Sequence, residues 1–176
     1  MERDILVVID MQNDFITGSL ANKEAEKILP NVAKLIKEFD GDVIFTRDMH
    51  DSYIYPRSME GKYLPIEHCI KGTYGHQIHR DLLGWRDAEV VDKANFGSML
   101  LLDKIGKMIS GYEKGSKIHF CGTVTEICVI SNVLLAKTRF PETKIIVHKE
   151  CCAGLNEESH NAALTVMKSC QCEVAD

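Results

Sequence analysis

Three side chains in this sequence have the chemistry to open a carbonyl compound together: a carboxylate at Asp10, an ammonium at Lys93 and a thiol at Cys128. A thiol is a strong nucleophile only as its thiolate, which a cation and the positive end of a helix both favour. Asp10 can accept the thiol proton and return it to a leaving amine, the two-way transfer that amide cleavage needs. Each residue alone also has an ordinary role: a strand-end aspartate caps a turn, a lysine is solvated, a buried cysteine acts as a small hydrophobe. A second pattern, Thr46-Arg47-Asp48-Met49-His50, sets a carboxylate and an imidazole two residues apart, on one side of an extended chain. Both donor types suit a divalent metal, and a third ligand must come from elsewhere.

These residues need elements to bring them together. Ile5-Leu6-Val7-Val8-Ile9 is a continuous β-branched and aliphatic run, the pattern of a strand covered on both faces, and Asp10 follows it directly. Apolar residues spaced by three and four predict a helix from Ala21 to Phe39, with Pro30 either kinking its first turns or marking a late start. Val43-Ile44-Phe45-Thr46 is a second buried strand, and residues 49–88 form a long irregular excursion with one short helix. Strands are expected at Ala88–Val91, Lys117–Cys121, Lys144–Val147 and Cys172–Val174. Helices are expected at Ser98–Ile109, Thr125–Lys137 and Asn156–Ser169, the last capped by Asn156. This alternation predicts a parallel sheet with helices on both faces, and ligand sites in such sheets lie at the carboxyl ends of the strands. Asp10, Lys93 and Cys128 all fall at or just beyond that edge.

Composition bounds the rest. With 176 residues, 45% of them hydrophobic, the chain is expected to be one domain over 1–176. A net charge of −5, from 21 basic and 26 acidic side chains, offers no basic stripe for nucleic acid. No apolar run approaches the roughly 20 residues of a membrane helix and no signal peptide is recognisable, so a soluble cytoplasmic protein is expected. Seven cysteines, an odd number without C-x-x-C pairs, read as reduced thiols.

Three segments carry a resemblance: Ile9-Asp10-Met11-Gln12-Asn13-Asp14-Phe15, Lys93-Ala94-Asn95-Phe96-Gly97-Ser98, and Gly122-Thr123-Val124-Thr125-Glu126-Ile127-Cys128-Val129. In type and order they are similar to the signature segments of the isochorismatase-like cysteine hydrolases, and the likeness spans the whole chain. It implies a three-layer α/β/α fold around a parallel six-stranded sheet, with Asp10 as base and acid, Lys93 as electrostatic partner and Cys128 as nucleophile. It also implies a cis peptide at Thr123–Val124, aiming the backbone NH of Val124 and that of Cys128 at the developing oxyanion. Members that hydrolyse the vinyl ether of isochorismate lack this cysteine, so an acyl-enzyme route is expected.

The segment from Leu64 to Gly75 resembles the metal-binding segment of the nicotinamidases within that family. Leu64 replaces a common tryptophan, and one extra residue separates Pro65 from His68. The resemblance implies a metal held by Asp48, His50 and His68, with positions left open for water or a pyridine nitrogen. The ordinary alternative has Asp48 capping a turn, His50 facing solvent and His68 packed in a loop. Zinc, manganese and iron all suit the ligand set, zinc being the first choice. Phe15 and Phe96 match pocket positions, and Tyr74 and Trp85 are further candidates for its walls. His76 and His79 match nothing in the family and are expected to be solvated or capping. Hydrolysis of nicotinamide to nicotinic acid and ammonia follows as the expected activity. The alternatives are another family amidase acting on a carbamoyl, ureido or pyrazinamide-like compound, and a noncatalytic small-molecule or metal binder. The partners expected are a small amide and, by resemblance alone, further copies of the chain.

Overall fold

In the computed structural model, which describes residues 3–84, 88–110 and 115–176, the first apolar run becomes β1 (Ile5–Ile9), with all its side chains buried. That burial follows from its place inside a six-stranded sheet of order β3-β2-β1-β4-β5-β6, in which every pairing is parallel. A one-turn helix, α1 (Asn13–Ile16), follows. Helix α2 (Lys23–Glu38) starts at Asn22, whose side chain accepts from the NH of Glu24, and it buries Ala25, Leu29, Val32 and Ile36. Pro30 lies inside α2 and does not delay its start, so the helix runs on past the one backbone donor that proline cannot supply.

Strand β2 (Asp42–Asp48) delivers Asp48 at its end. The excursion after it holds a 3-10 turn at Tyr55–Arg57, the short helix α3 (Met59–Tyr63) and a second 3-10 turn at Arg80–Leu82. Strand β3 (Glu89–Lys93) extends two residues past the expected end, and α4 (Met99–Met108) is capped by the Ser98 side chain, which accepts from the NH of Leu101. The register pairs Asp48 with Lys93, so both side chains leave the sheet edge side by side.

The carboxyl half departs more from expectation. Strand β4 (Lys117–Thr123) runs two residues further than expected, and a π-helical turn at Thr125–Val129 replaces the first turns of the expected helix before α5 (Ile130–Arg139) begins. Strand β5 (Lys144–Ala153) is 10 residues long rather than the four expected. Phe120 pairs with Val147 but Gly122 with Cys152, so β5 bulges against β4 and resumes. Helix α6 (Glu157–Ser169) is capped by Asn156 as expected, and β6 (Glu173–Ala175) closes the sheet. Gly122 has a φ of 120°, and a Cβ there would overlap the Ile9 carbonyl oxygen, so glycine alone lets β4 lie this close to β1. Among the described residues no helix is long and apolar enough to cross a membrane.

Candidate functional site

Asp10 leaves β1 in the left-handed region, at a φ of 49°, which aspartate tolerates better than most side chains. That turn points a fully buried carboxylate across the sheet edge at Lys93, whose Nζ stands 2.7 Å from Oδ2. Lys93 Nζ is also 3.5 Å from Cys128 Sγ and donates to the Asn95 carbonyl at 3.1 Å. The Thr46 hydroxyl donates to Asp10 Oδ1 at 2.6 Å while accepting from the Asp10 NH at 3.2 Å. The three side chains expected to react therefore converge, although they come from three separate strand ends.

Their protonation differs from expectation at Cys128. Burial pushes this thiol well above the ordinary 9.0, and the charge of Asp10 adds to the effect while Lys93 opposes it. The π turn carries no side-chain cap. Burial also raises Asp10, against the pull of Lys93. For Lys93 burial acts downward but is outweighed by Asp10, Cys128 and Asp48, so the ammonium persists. Burial thus favours the neutral forms of Cys128 and Asp10 while Lys93 keeps its charge, so the pull of the cation on the thiol, expected to favour thiolate, is outweighed.

Two buried amides hold this edge in place. Gln12 donates to the carbonyls of Asp48 (2.8 Å) and His76 (3.0 Å) and accepts from the Asp48 NH at 2.7 Å, tying the end of β1 to that of β2. Asn132 donates to the carbonyls of Cys128 (2.8 Å) and Phe96 (2.9 Å) and accepts from the Ser98 NH at 3.0 Å. It fixes the Cys128 turn against the loop after β3.

Asp48, His50 and His68 also meet, joined by Glu60 of α3, with their ligand atoms all within 4.8 Å of one another. Adjacent donors stand 2.9, 3.4, 3.6 and 3.7 Å apart. Donors held about 2.1 Å from one ion would be roughly 3.0–3.4 Å apart in octahedral or tetrahedral shells, so the set fits a divalent metal. His68 Nδ1 bonds the Ile66 carbonyl at 2.9 Å, which leaves Nε2 to face the cluster. Burial disfavours a charged His68, but hydrogen bonds to Asp48 and Glu60 outweigh it and raise the imidazole to about 10. Burial likewise disfavours the Asp48 carboxylate, yet hydrogen bonds from His50 and His68 and the charge of Lys93 hold it well below 3.8. Both histidines are buried, unlike the ordinary alternative with His50 in solvent. Glu60 is not among the residues singled out from the sequence: it lies in the irregular excursion, and Asp51 and Glu67 stand between His50 and His68 as well, so no acidic residue there is marked out.

Cys128, Val124, Asp48, Glu60 and His68 share one cavity of about 940 Å³ with Phe15, Leu64 and Phe96. The Thr123–Val124 bond is cis. Phe15 is buried, its ring 5.6 Å from that of His68, whereas Phe96 is half exposed. Tyr74 is exposed and outside the cavity lining, and Trp85 lies outside the described residues. His79 accepts from the Asp81 NH as a cap. His76, expected to be solvated or capping, is buried beside Asp92 at 3.4 Å because the loop after Gly75 folds over the ends of β2 and β3.

A family model for the isochorismatase domain matches residues 4–176. A Bacillus subtilis (strain 168) protein described as the uncharacterized isochorismatase family protein PncA is 29% identical over 175 residues, spanning 91% of each chain. The nicotinamidase of Saccharomyces cerevisiae is 31% identical over 120 residues, 50% of this chain and 55% of the yeast protein. Among solved structures, the pyrazinamidase of Pyrococcus horikoshii in complex with zinc is 28% identical, with a TM-score of 0.82 over 99% of both chains.

Proposed function

From the chain's membership of the isochorismatase family, we propose that it is a nicotinamidase, hydrolysing nicotinamide to nicotinic acid and ammonia through a thioester on Cys128. The observation that carries this reading is the meeting of two clusters on one cavity. Lys93 Nζ, 3.5 Å from Cys128 Sγ, is only 3.7 Å from Asp48 Oδ1. A divalent ion on Asp48, His50, Glu60 and His68 would supply Lewis acidity for a pyridine nitrogen and so orient the ring. Zinc suits the donors, as do manganese and iron.

In the reaction Asp10 takes the Cys128 proton as sulfur bonds to the carboxamide carbon. Lys93 and the backbone NH groups of Val124 and Cys128 stabilise the oxyanion. Asp10 returns the proton to nitrogen, the C–N bond breaks and ammonia leaves. Water, deprotonated by Asp10, then attacks the thioester carbon, the C–S bond breaks, and the thiol regains its proton as nicotinic acid is released. Phe15 and Phe96 provide apolar walls for the ring.

The test is ammonia release from nicotinamide by the wild type before and after chelation and metal restoration, beside Cys128→Ala. We expect turnover that falls on chelation, returns with metal and is absent from the variant, which should still bind the ring. Substantial turnover by Cys128→Ala would remove the nucleophile assignment. A metal-replete wild type inert towards nicotinamide would overturn the substrate and turn the search to carbamoyl, ureido and pyrazinamide-like compounds.

A further inference from the structure

The cavity has room for more than one pyridine ring. At about 940 Å³ it lies near the top of the roughly 300–1,000 Å³ range of small-molecule sites, which bury most of a drug-sized ligand. Anchoring fixes where the surplus lies. With the ring nitrogen at the Asp48 cluster and the carboxamide at Cys128, ring positions 1 and 3 are committed, and carbon 5, meta to both, points away from them.

The walls that belong to neither cluster are mostly apolar: Leu20, Met59, Tyr63 and Leu155 among them. Met59, Tyr63 and Leu155 are 65%, 85% and 61% exposed, so large apolar side chains stand in water around a space that leads to the nucleophile. Such grouping marks surface that a ligand covers. Asn22, a polar wall residue, is already committed, since it accepts from the Glu24 NH at 3.0 Å and donates to the Gly154 carbonyl at 2.8 Å. Both polar ends of the Asn22 side chain are therefore engaged, and Leu20 and Ala21 beside it present apolar wall, with the Ser19 hydroxyl as the polar exception.

We propose that the preferred substrates are nicotinamides carrying an apolar substituent on ring carbon 5, hydrolysed at the carboxamide by the chemistry above; this rests on the nicotinamidase reading. The substituent fills the outer cavity and leaves the reacting end unchanged. Its effect falls on binding, because covering the same apolar area in ground and transition states lowers KM and leaves kcat alone.

The experiment is steady-state hydrolysis of nicotinamide and 5-phenylnicotinamide by the metal-replete wild type, Met59→Ser and Leu155→Ser, with circular dichroism to verify folding. The expected result is a KM for the phenyl compound about tenfold below that for nicotinamide, at similar kcat, with the advantage shrinking in each variant. Turnover of nicotinamide with none of the phenyl compound, or with a higher KM for it, overturns this inference and leaves the nicotinamidase reading standing. A KM advantage untouched by both substitutions overturns the placement of the substituent. Inertness towards both compounds overturns the two readings together.

Discussion

At the scale of single residues, the cost of reaction lies in moving one proton. Burial disfavours the Cys128 thiolate, so the proposed reaction needs Asp10 ionised when the substrate arrives. Burial raises Asp10 above its ordinary 3.8, and the acid limb of kcat/KM should fall correspondingly higher, as a property of the coupled trio. Thr46→Val removes the hydroxyl that donates to Asp10 Oδ1 at 2.6 Å and favours the neutral acid. The limb should then move to higher pH by about one unit, and a pH–rate profile that stays put would show that Thr46 does not tune the base. Asp10, Lys93 and Cys128 were legible because each stands in a segment resembling a family signature, with strand ends placing them on one sheet edge. The expected help from Lys93 and the turn towards thiolate is outweighed at Cys128 by burial, which an apolar and polar pattern along the chain does not reveal. Glu60 was illegible because α3 is short and lies in a segment without periodicity.

At the scale of elements, the turn that carries Cys128 is tied to the loop after β3 by one side chain from α5. Asn132 is fully buried and engages Cys128, Phe96 and Ser98 through three hydrogen bonds. Asn132→Ala strands these backbone groups, so we expect a loss of about 2–4 kcal/mol by urea unfolding and a drop in kcat larger than the change in KM. Unaltered stability and kcat would mean that the turn holds without the amide. The same turn explains a limit of pattern reading. Thr125–Val129 carries apolar and small residues that fit an α-helix, and nothing in that pattern announces the wider π winding. Strand β5 was cut short for a different reason. His148, Lys149 and Glu150 interrupt its apolar run, yet they belong to a strand that bulges against β4 and recovers its pairing at Cys152.

At the scale of the whole molecule, the parallel sheet places acids from strands far apart in sequence at one edge, and the order β3-β2-β1-β4-β5-β6 sets β1 where the two halves meet. A divalent ion on Asp48, His50, Glu60 and His68 would add stability to the folded state alone. Metal at a hundred times its Kd should raise stability by about 2.7 kcal/mol and Tm by about 5–10 °C. Glu60→Gln, which removes one charged donor, should weaken binding about tenfold and shrink that rise by about 3–5 °C. Calorimetry with metal and with chelator measures both, and an undiminished rise would exclude Glu60 from the ligand set. The seam between the halves bears on which sequences this architecture admits. At Gly122 the backbone of β4 passes the Ile9 carbonyl with no room for a Cβ, one residue before Asp10 on one side and one before Thr123 on the other. In a library varying every position, sites in the core should accept neighbours of similar volume, whereas position 122 should return glycine alone. The spacing between Asp10 and Cys128 is inherited from an atom that is not there.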